Sequence, residues 1–208
     1  MVEVLIGFGF VFLVIGVASV LEKFKVLSDE GARKTIHIGV ANWFILAVVL
    51  FDHTLQAMIA PVTFIVLNYL SYRFNLVSAM ERDEQTINDL GTVYYAISLA
   101  IVTLISFEFN YLEAGLFAIL AMGYGDGFSA VIGKHFPSKK LYKNKSYLGS
   151  LTFFIFTLVI GLILFTSIWY LIIMIALIMT LVELFTPRGL DNLSVPLILM
   201  ILMVVIGS

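Results

Sequence analysis

The sequence contains no cysteine, which excludes disulfides and thiolate metal sites. Its three histidines, His37, His53 and His135, are too few and too scattered to form a histidine metal cluster. Charge is scarce. Asp, Glu, Lys and Arg make up 12% of the 208 residues, against about 25% in a soluble domain. With 61% hydrophobic residues, a mean hydropathy of +1.06 and long uncharged runs, the chain reads as an integral membrane protein. No basic stretch precedes the first apolar run and no small-residue cleavage site follows it, so that run reads as a transmembrane helix and not as a removed signal. No repeat, linker or low-complexity segment divides the chain, and residues 1–208 read as a single integral membrane domain. The net charge of -2 says nothing about partners, and no nucleic-acid partner is expected.

What is present is a series of apolar segments near the ~20 residues a spanning helix needs. They run Val4–Leu21, Thr35–Leu50, Leu55–Tyr72, Gly91–Phe107, Ala114 to about Gly133, Leu148–Thr166, Ile168–Thr186 and a shorter Leu193–Ile206. A lipid-facing backbone must satisfy its own hydrogen bonds, so these are helices. A barrel would need shorter alternating segments. The fold class is therefore all-α, a polytopic transmembrane helical bundle of seven to eight spans.

The placement of charge gives the orientation. The links after spans one, three, five and seven carry four, two, five and one basic residues, which together are all 12 Lys and Arg of the chain. Cytoplasmic loops collect such residues. The N-terminus is thus expected outside and those four links inside, with the polar motifs on the cytosolic side of a cell membrane.

Four constellations lie on that side. The first is Arg33-Lys34-Thr35-Ile36-His37, where Arg33 and Lys34 precede His37 by four and three residues and share its helix face. Two cations there can clamp phosphates and a histidine can move a proton. As a bare pair, Arg33 and Lys34 would equally serve as positive-inside anchors. The second runs from Gly123 to Lys134. Its small residues permit close helix packing, but that does not account for Asp126, because a carboxylate below the membrane surface must be paired, protonated or metal-bound. Mg²⁺ with nucleotide phosphates suits an acid beside a lysine-rich connector. The third, Lys145-Ser146-Tyr147-Leu148-Gly149-Ser150, opens a helix, whose free backbone N–H groups attract anions; Ser146 also suits an ordinary N-cap. The fourth combines Glu183 with Asp191, Asn192 and Pro196, where Asp191 and Asn192 alone would suit a helix cap. Nucleotides are cytosolic and lipid alcohols lie in the membrane, so a site at this boundary can receive both.

In this order the motifs R-K-x-x-H (Arg33, Lys34, His37), G-D-x-x-x-A-x-x-G-K (Gly125, Asp126, Ala130, Gly133, Lys134), K-S-x-x-G-S (Lys145, Ser146, Gly149, Ser150) and D-N-x-x-x-P (Asp191, Asn192, Pro196) resemble those of the polyprenol kinase family. That family comprises dolichol kinases, phytol kinases and CTP-dependent diacylglycerol kinases. Each motif is short, and their order and spacing from about Arg33 to Pro196 carry the resemblance. Gly91-Thr92-Val93-Tyr94-Tyr95 is similar to a stretch of the phytol kinase branch. The chain departs from the pattern at Leu148, where the family carries Glu; Glu183 is the candidate to stand in for that acid.

The resemblance implies transfer of the γ-phosphate of a nucleoside triphosphate, CTP or else ATP, to the hydroxyl of an isoprenoid alcohol or diacylglycerol. It assigns Asp126, and second Asp191, to Mg²⁺. Lys134 and Lys145 would hold the triphosphate, with Gly125, Gly133 and Asn192 among the nucleotide-binding residues. Ser146, Gly149 and Ser150 would form a phosphate-binding helix start. His37, or else Glu183, would orient or deprotonate the alcohol, while Arg33 and Lys34 neutralise developing charge. The implied partners are a lipid alcohol, the nucleotide and membrane lipids. Two rivals stand beside this reading: a CDP-lipid synthase, which has a similar acid-rich and lysine-rich signature, and an ion-coupled transporter using Asp126 and Glu183.

Overall fold

The computed structural model describes residues 1–74, 76, 90–136 and 138–207. The charged cluster Glu81, Arg82, Asp83 and Glu84, part of the expected third link, lies outside the described residues. The helices are α1 (Val2–Lys23), α2 (Asp29–Leu50), α3 (Thr54–Phe74), α4 (Gly91–Glu108), α5 (Leu112–His135), α6 (Tyr147–Leu164), α7 (Trp169–Phe185) and α8 (Asp191–Ile206). A two-stranded antiparallel hairpin, β1 (Lys140–Tyr142) and β2 (Lys145–Ser146), separates α5 from α6. Among the described residues seven helical stretches are long and apolar enough to cross a membrane; α8, at 16 residues, is shorter. The protein is an all-α polytopic membrane bundle.

Helix α2 begins six residues before the apolar segment that predicts it. Ser28 caps it, its hydroxyl accepting from the Gly31 amide at 3.2 Å, and Asp29 and Glu30 suit the positive end of the helix dipole. Arg33 and Lys34 therefore stand inside a helix and are buried. The lysine-rich connector likewise contains the β1–β2 hairpin, which its charge pattern did not announce. Lys143 closes its tip in the left-handed region, at φ 47°.

Helix α5 is the centre of the bundle and packs against α2, α4, α6 and α8. Its small residues make this possible. A side chain at Gly123 would collide with Ala41 of α2, and one at Gly125 would meet the Phe153 ring of α6 at 2.9 Å. Backbones brought this close gain dispersion contacts, the main attraction between helices where lipid already solvates apolar surface. Polar bonds lock the last helix in place: Asn192 Nδ2 donates to the Gly91 carbonyl at 2.8 Å, and Ser98 Oγ donates to the Asn192 carbonyl at 2.8 Å. The start of α2, the end of α5, the hairpin, the start of α6, the end of α7 and the start of α8 thereby converge on one end of the bundle.

Candidate active site

A wide polar cavity opens at that end, enclosing about 1980 Å³ of empty space out to its mouth. On it Asp126 of α5, Glu183 of α7 and Asp191 of α8 come together, each offering an oxygen within 4.8 Å of the others. All three are buried. Like charges this close repel unless cations intervene, and two lysines do. Lys34 of α2 donates to Asp126 Oδ2. Lys145 of β2 donates to Glu183 Oε1 at 2.6 Å, to Asp191 Oδ2 at 3.3 Å and to the Glu183 carbonyl. Burial pulls the Lys145 ammonium down, but Glu183 and Asp191 outweigh it and hold its pKa above the ordinary lysine value.

The orientation of the acids is also set. Asp191 Oδ1 accepts from the backbone amides of Gly189 at 3.0 Å and Asn192 at 3.1 Å, so Oδ2 is turned towards Lys145. Glu183 Oε2 is buried with no hydrogen-bond partner. Three carboxylates from three helices, one with an unsatisfied oxygen, fit the oxygen-ligand preference of Mg²⁺, which binds through a few carboxylates while keeping positions for phosphates and water.

Around them the cavity gathers most of the other candidates: Arg33, Gly133, Lys134, Ser146, Gly149, Ser150 and Asn192. Ser146 caps α6, its hydroxyl accepting from the Gly149 amide at 3.2 Å. A Cβ at Gly133 would come 2.9 Å from Ser146 Oγ, and one at Gly149 would come 3.2 Å from the Ser129 carbonyl, so the two glycines let α5 and the start of α6 close on each other. Ser150 Oγ is buried without a partner. Two candidates lie off this cavity. Gly125 faces the Phe153 ring and serves packing. His37 stands behind Asp126, its Nε2 3.6 Å from Asp126 Oδ2, beyond hydrogen-bond reach and otherwise unpartnered. Its ring stacks on Tyr95, with centroids 3.9 Å apart, and Tyr95 Oη donates to the His37 carbonyl at 3.3 Å.

Leu148, where the family motif carries Glu, is not among the residues lining the cavity. Lys140, Ser138, Asn144 and Arg188, none of them singled out by the motifs, line the cavity too. The hairpin places the first three, and no local pattern in the sequence encodes their approach.

The chain is similar to phytol kinases. It is 25% identical over 190 residues to the phytol kinase of a Synechocystis species, covering 86% of this chain and 81% of that protein. It is 30% identical over 206 residues to the chloroplastic phytol kinase 1 of Arabidopsis thaliana, covering 85% of this chain and 66% of that protein. A probable chloroplastic phytol kinase 1 of Oryza sativa is 26% identical over 204 residues, covering 85% and 64%. The chain thus spans about two thirds of the length of these plant relatives. No family model and no solved structure matches it. Similarity along most of the chain, together with the ordered motifs that the fold gathers around one cavity, establishes that the chain belongs to the polyprenol kinase family that includes the phytol kinases.

Proposed function

We propose that the protein is a lipid kinase that transfers the γ-phosphate of a nucleoside triphosphate, CTP being the expected donor, to the hydroxyl of an isoprenoid alcohol at a site facing the cytoplasm. The observation that carries this is the cluster of Asp126, Glu183 and Asp191 at the floor of a cation-lined cavity. Phosphoryl transfer needs little covalent help from a protein; it needs positioning and charge neutralisation, and this cavity supplies groups for both.

Asp126, Glu183 and Asp191 would hold Mg²⁺, which when bound supplies positive charge against the triphosphate. Glu183 thereby belongs with the metal-holding acids and not with the groups that orient the alcohol. Lys34 and Lys145, which pair with those acids, would also reach phosphate oxygens of a bound nucleotide. The start of α6 offers a further phosphate contact through Ser150 Oγ, which is buried without a partner, whereas its first amides, of Tyr147, Leu148 and Gly149, already donate to the Lys139 carbonyl, Ser138 Oγ and Ser146 Oγ. Lys134 and the buried Arg33 contribute charge from the cavity lining.

His37 is the candidate base. Its Nε2 has no partner and lies beside Asp126, where an acceptor hydroxyl would sit. The alcohol oxygen forms a bond to the γ-phosphorus as the bond from that phosphorus to the β–γ bridging oxygen breaks; the hydroxyl proton passes to His37 Nε2 and the nucleoside diphosphate leaves with the electron pair.

The test is incubation of purified protein with Mg²⁺ and either γ-labelled or α-labelled CTP, with ATP alongside, and a panel of prenyl alcohols and diacylglycerol. Label from the γ position alone in a lipid phosphate supports the kinase. Label from the α position in lipid would replace it with a CDP-lipid synthase. No transfer from any donor to any alcohol, with folded protein, would sink the reading.

A further inference from the structure

His37 leads to a second space. A narrow, mainly apolar crevice runs between α1, α2, α3 and α4, and Arg33 and Asn192 border both it and the polar cavity. Its walls are mostly hydrocarbon, from Ile15 of α1, Val40 of α2, Phe64 of α3, and Ala96 and Leu99 of α4; Asn68 and Thr92 also line it, the Asn68 amide donating to the Thr92 carbonyl at 3.0 Å. His37 marks the end near the acids. Trp43, six residues further along α2 and almost wholly buried, also lines it. At 1.5 Å per residue the two are separated by about 9 Å along the helix.

His37 lines the head of the crevice and its Nε2 is buried without a hydrogen-bond partner; a buried polar atom without a partner is costly unless a ligand completes it. The body is mainly apolar, and Trp43 Nε1 at its far end is likewise buried without a partner. A molecule that satisfies both has a hydroxyl at one end and a slender hydrocarbon chain behind it.

We propose, on the kinase reading above, that this crevice holds the first isoprene units of the acceptor, with the hydroxyl at His37 and Trp43 as the end wall against which the chain turns out towards lipid. The depth of about 9 Å along α2 takes only the start of a long prenyl chain, so chain length beyond that is read weakly and chain width strongly. A diacylglycerol, whose two chains leave adjacent carbons, is excluded by a single slot. The crevice is thus the specificity-determining part of the acceptor site.

The experiment uses the full chain in detergent, with farnesol, geranylgeraniol, phytol and a diacylglycerol as acceptors. Ala96→Phe, which fills the slot, is expected to raise the KM for every prenyl alcohol at least ~10-fold, about 1.4 kcal/mol, with the nucleotide KM unchanged. Trp43→Ala is expected to shift preference towards wider acceptors. Diazirine-bearing prenyl alcohol is irradiated with the unaltered protein as a second measurement that no folding defect can disturb, and cross-links are expected on α1–α4 near Phe64 and Trp43. Cross-links confined to other helices, an unchanged alcohol KM in folded Ala96→Phe, or equal turnover of diacylglycerol would overturn the crevice assignment while leaving the kinase standing. Absence of phosphate transfer to any alcohol would instead remove the kinase reading, and the crevice with it.

Discussion

Lys34 of α2 donates to Asp126 of α5 across 92 residues of sequence, and both side chains are buried. Removing one partner of a buried pair strands the other, which typically costs ~3–5 kcal/mol, whereas replacing both with apolar groups is often neutral. Asp126→Asn should therefore lower the unfolding midpoint in detergent, and Lys34→Met with Asp126→Leu should recover much of it. Neither protein should turn over substrate. A stable, active Asp126→Asn protein would refute both the pairing and the proposed metal role.

Glu183 Oε2 is buried without a hydrogen-bond partner. Glu183→Gln keeps the shape and removes the charge. It should raise the Mg²⁺ concentration for half-maximal turnover by on the order of tenfold or more, since even residues that only orient metal ligands cost about 10–100-fold. Titrating Mg²⁺ at saturating nucleotide reads this directly, and an unchanged Mg²⁺ dependence would separate Glu183 from the metal.

For His37 the expected loss is in turnover. A positioned general base contributes about 10²–10⁴-fold, so His37→Gln should lower kcat by that order with the nucleotide KM little altered. A normal kcat would leave His37 as a packing partner of Tyr95.

The pKa of Lys145 is raised in the folded protein, and this sets a pH window. A raised lysine pKa gives stability that is fully present below the unfolded value of about 10.4 and is lost as pH rises through the still higher folded value. The unfolding midpoint should thus fall more steeply above about pH 10.4 in the unaltered protein than in Lys145→Met, and the two slopes should agree near neutrality. Parallel curves throughout the alkaline range would contradict the ion pairs with Glu183 and Asp191.

Leu148 is outside the cavity lining. Leu148→Glu should therefore bring no gain in rate. A clear increase in turnover would mean that the acid of the family motif reaches the site after all.

The spans were legible because uncharged runs of the right length admit few other structures, and the long helices fall where those runs do. The start of α2 was not, because Arg33 and Lys34 look like a link until Ser28 is seen to cap the helix and other helices are seen to bury both cations. The candidate acids could be picked out one by one, since each is costly in an apolar setting. Their convergence could not: Asp126, Glu183 and Asp191 meet through the packing of α5, α7 and α8, which no periodicity records. Glu183 consequently read both as a stand-in for the acid of the family motif and as a second choice for the alcohol; its position beside Asp126 and Asp191 favours the first.

The five charged groups at the heart of the cavity come from five separate elements, α2, α5, β2, α7 and α8. A chain emerging from the ribosome releases Lys34 long before Asp126, and Lys145 before either Glu183 or Asp191. Asp126 meets Lys34 already waiting, and Glu183 and then Asp191 meet Lys145. Assembly of the site is therefore a late event in membrane insertion, and a partly inserted chain holds no complete set of acids with which to engage the nucleotide pool of the cell.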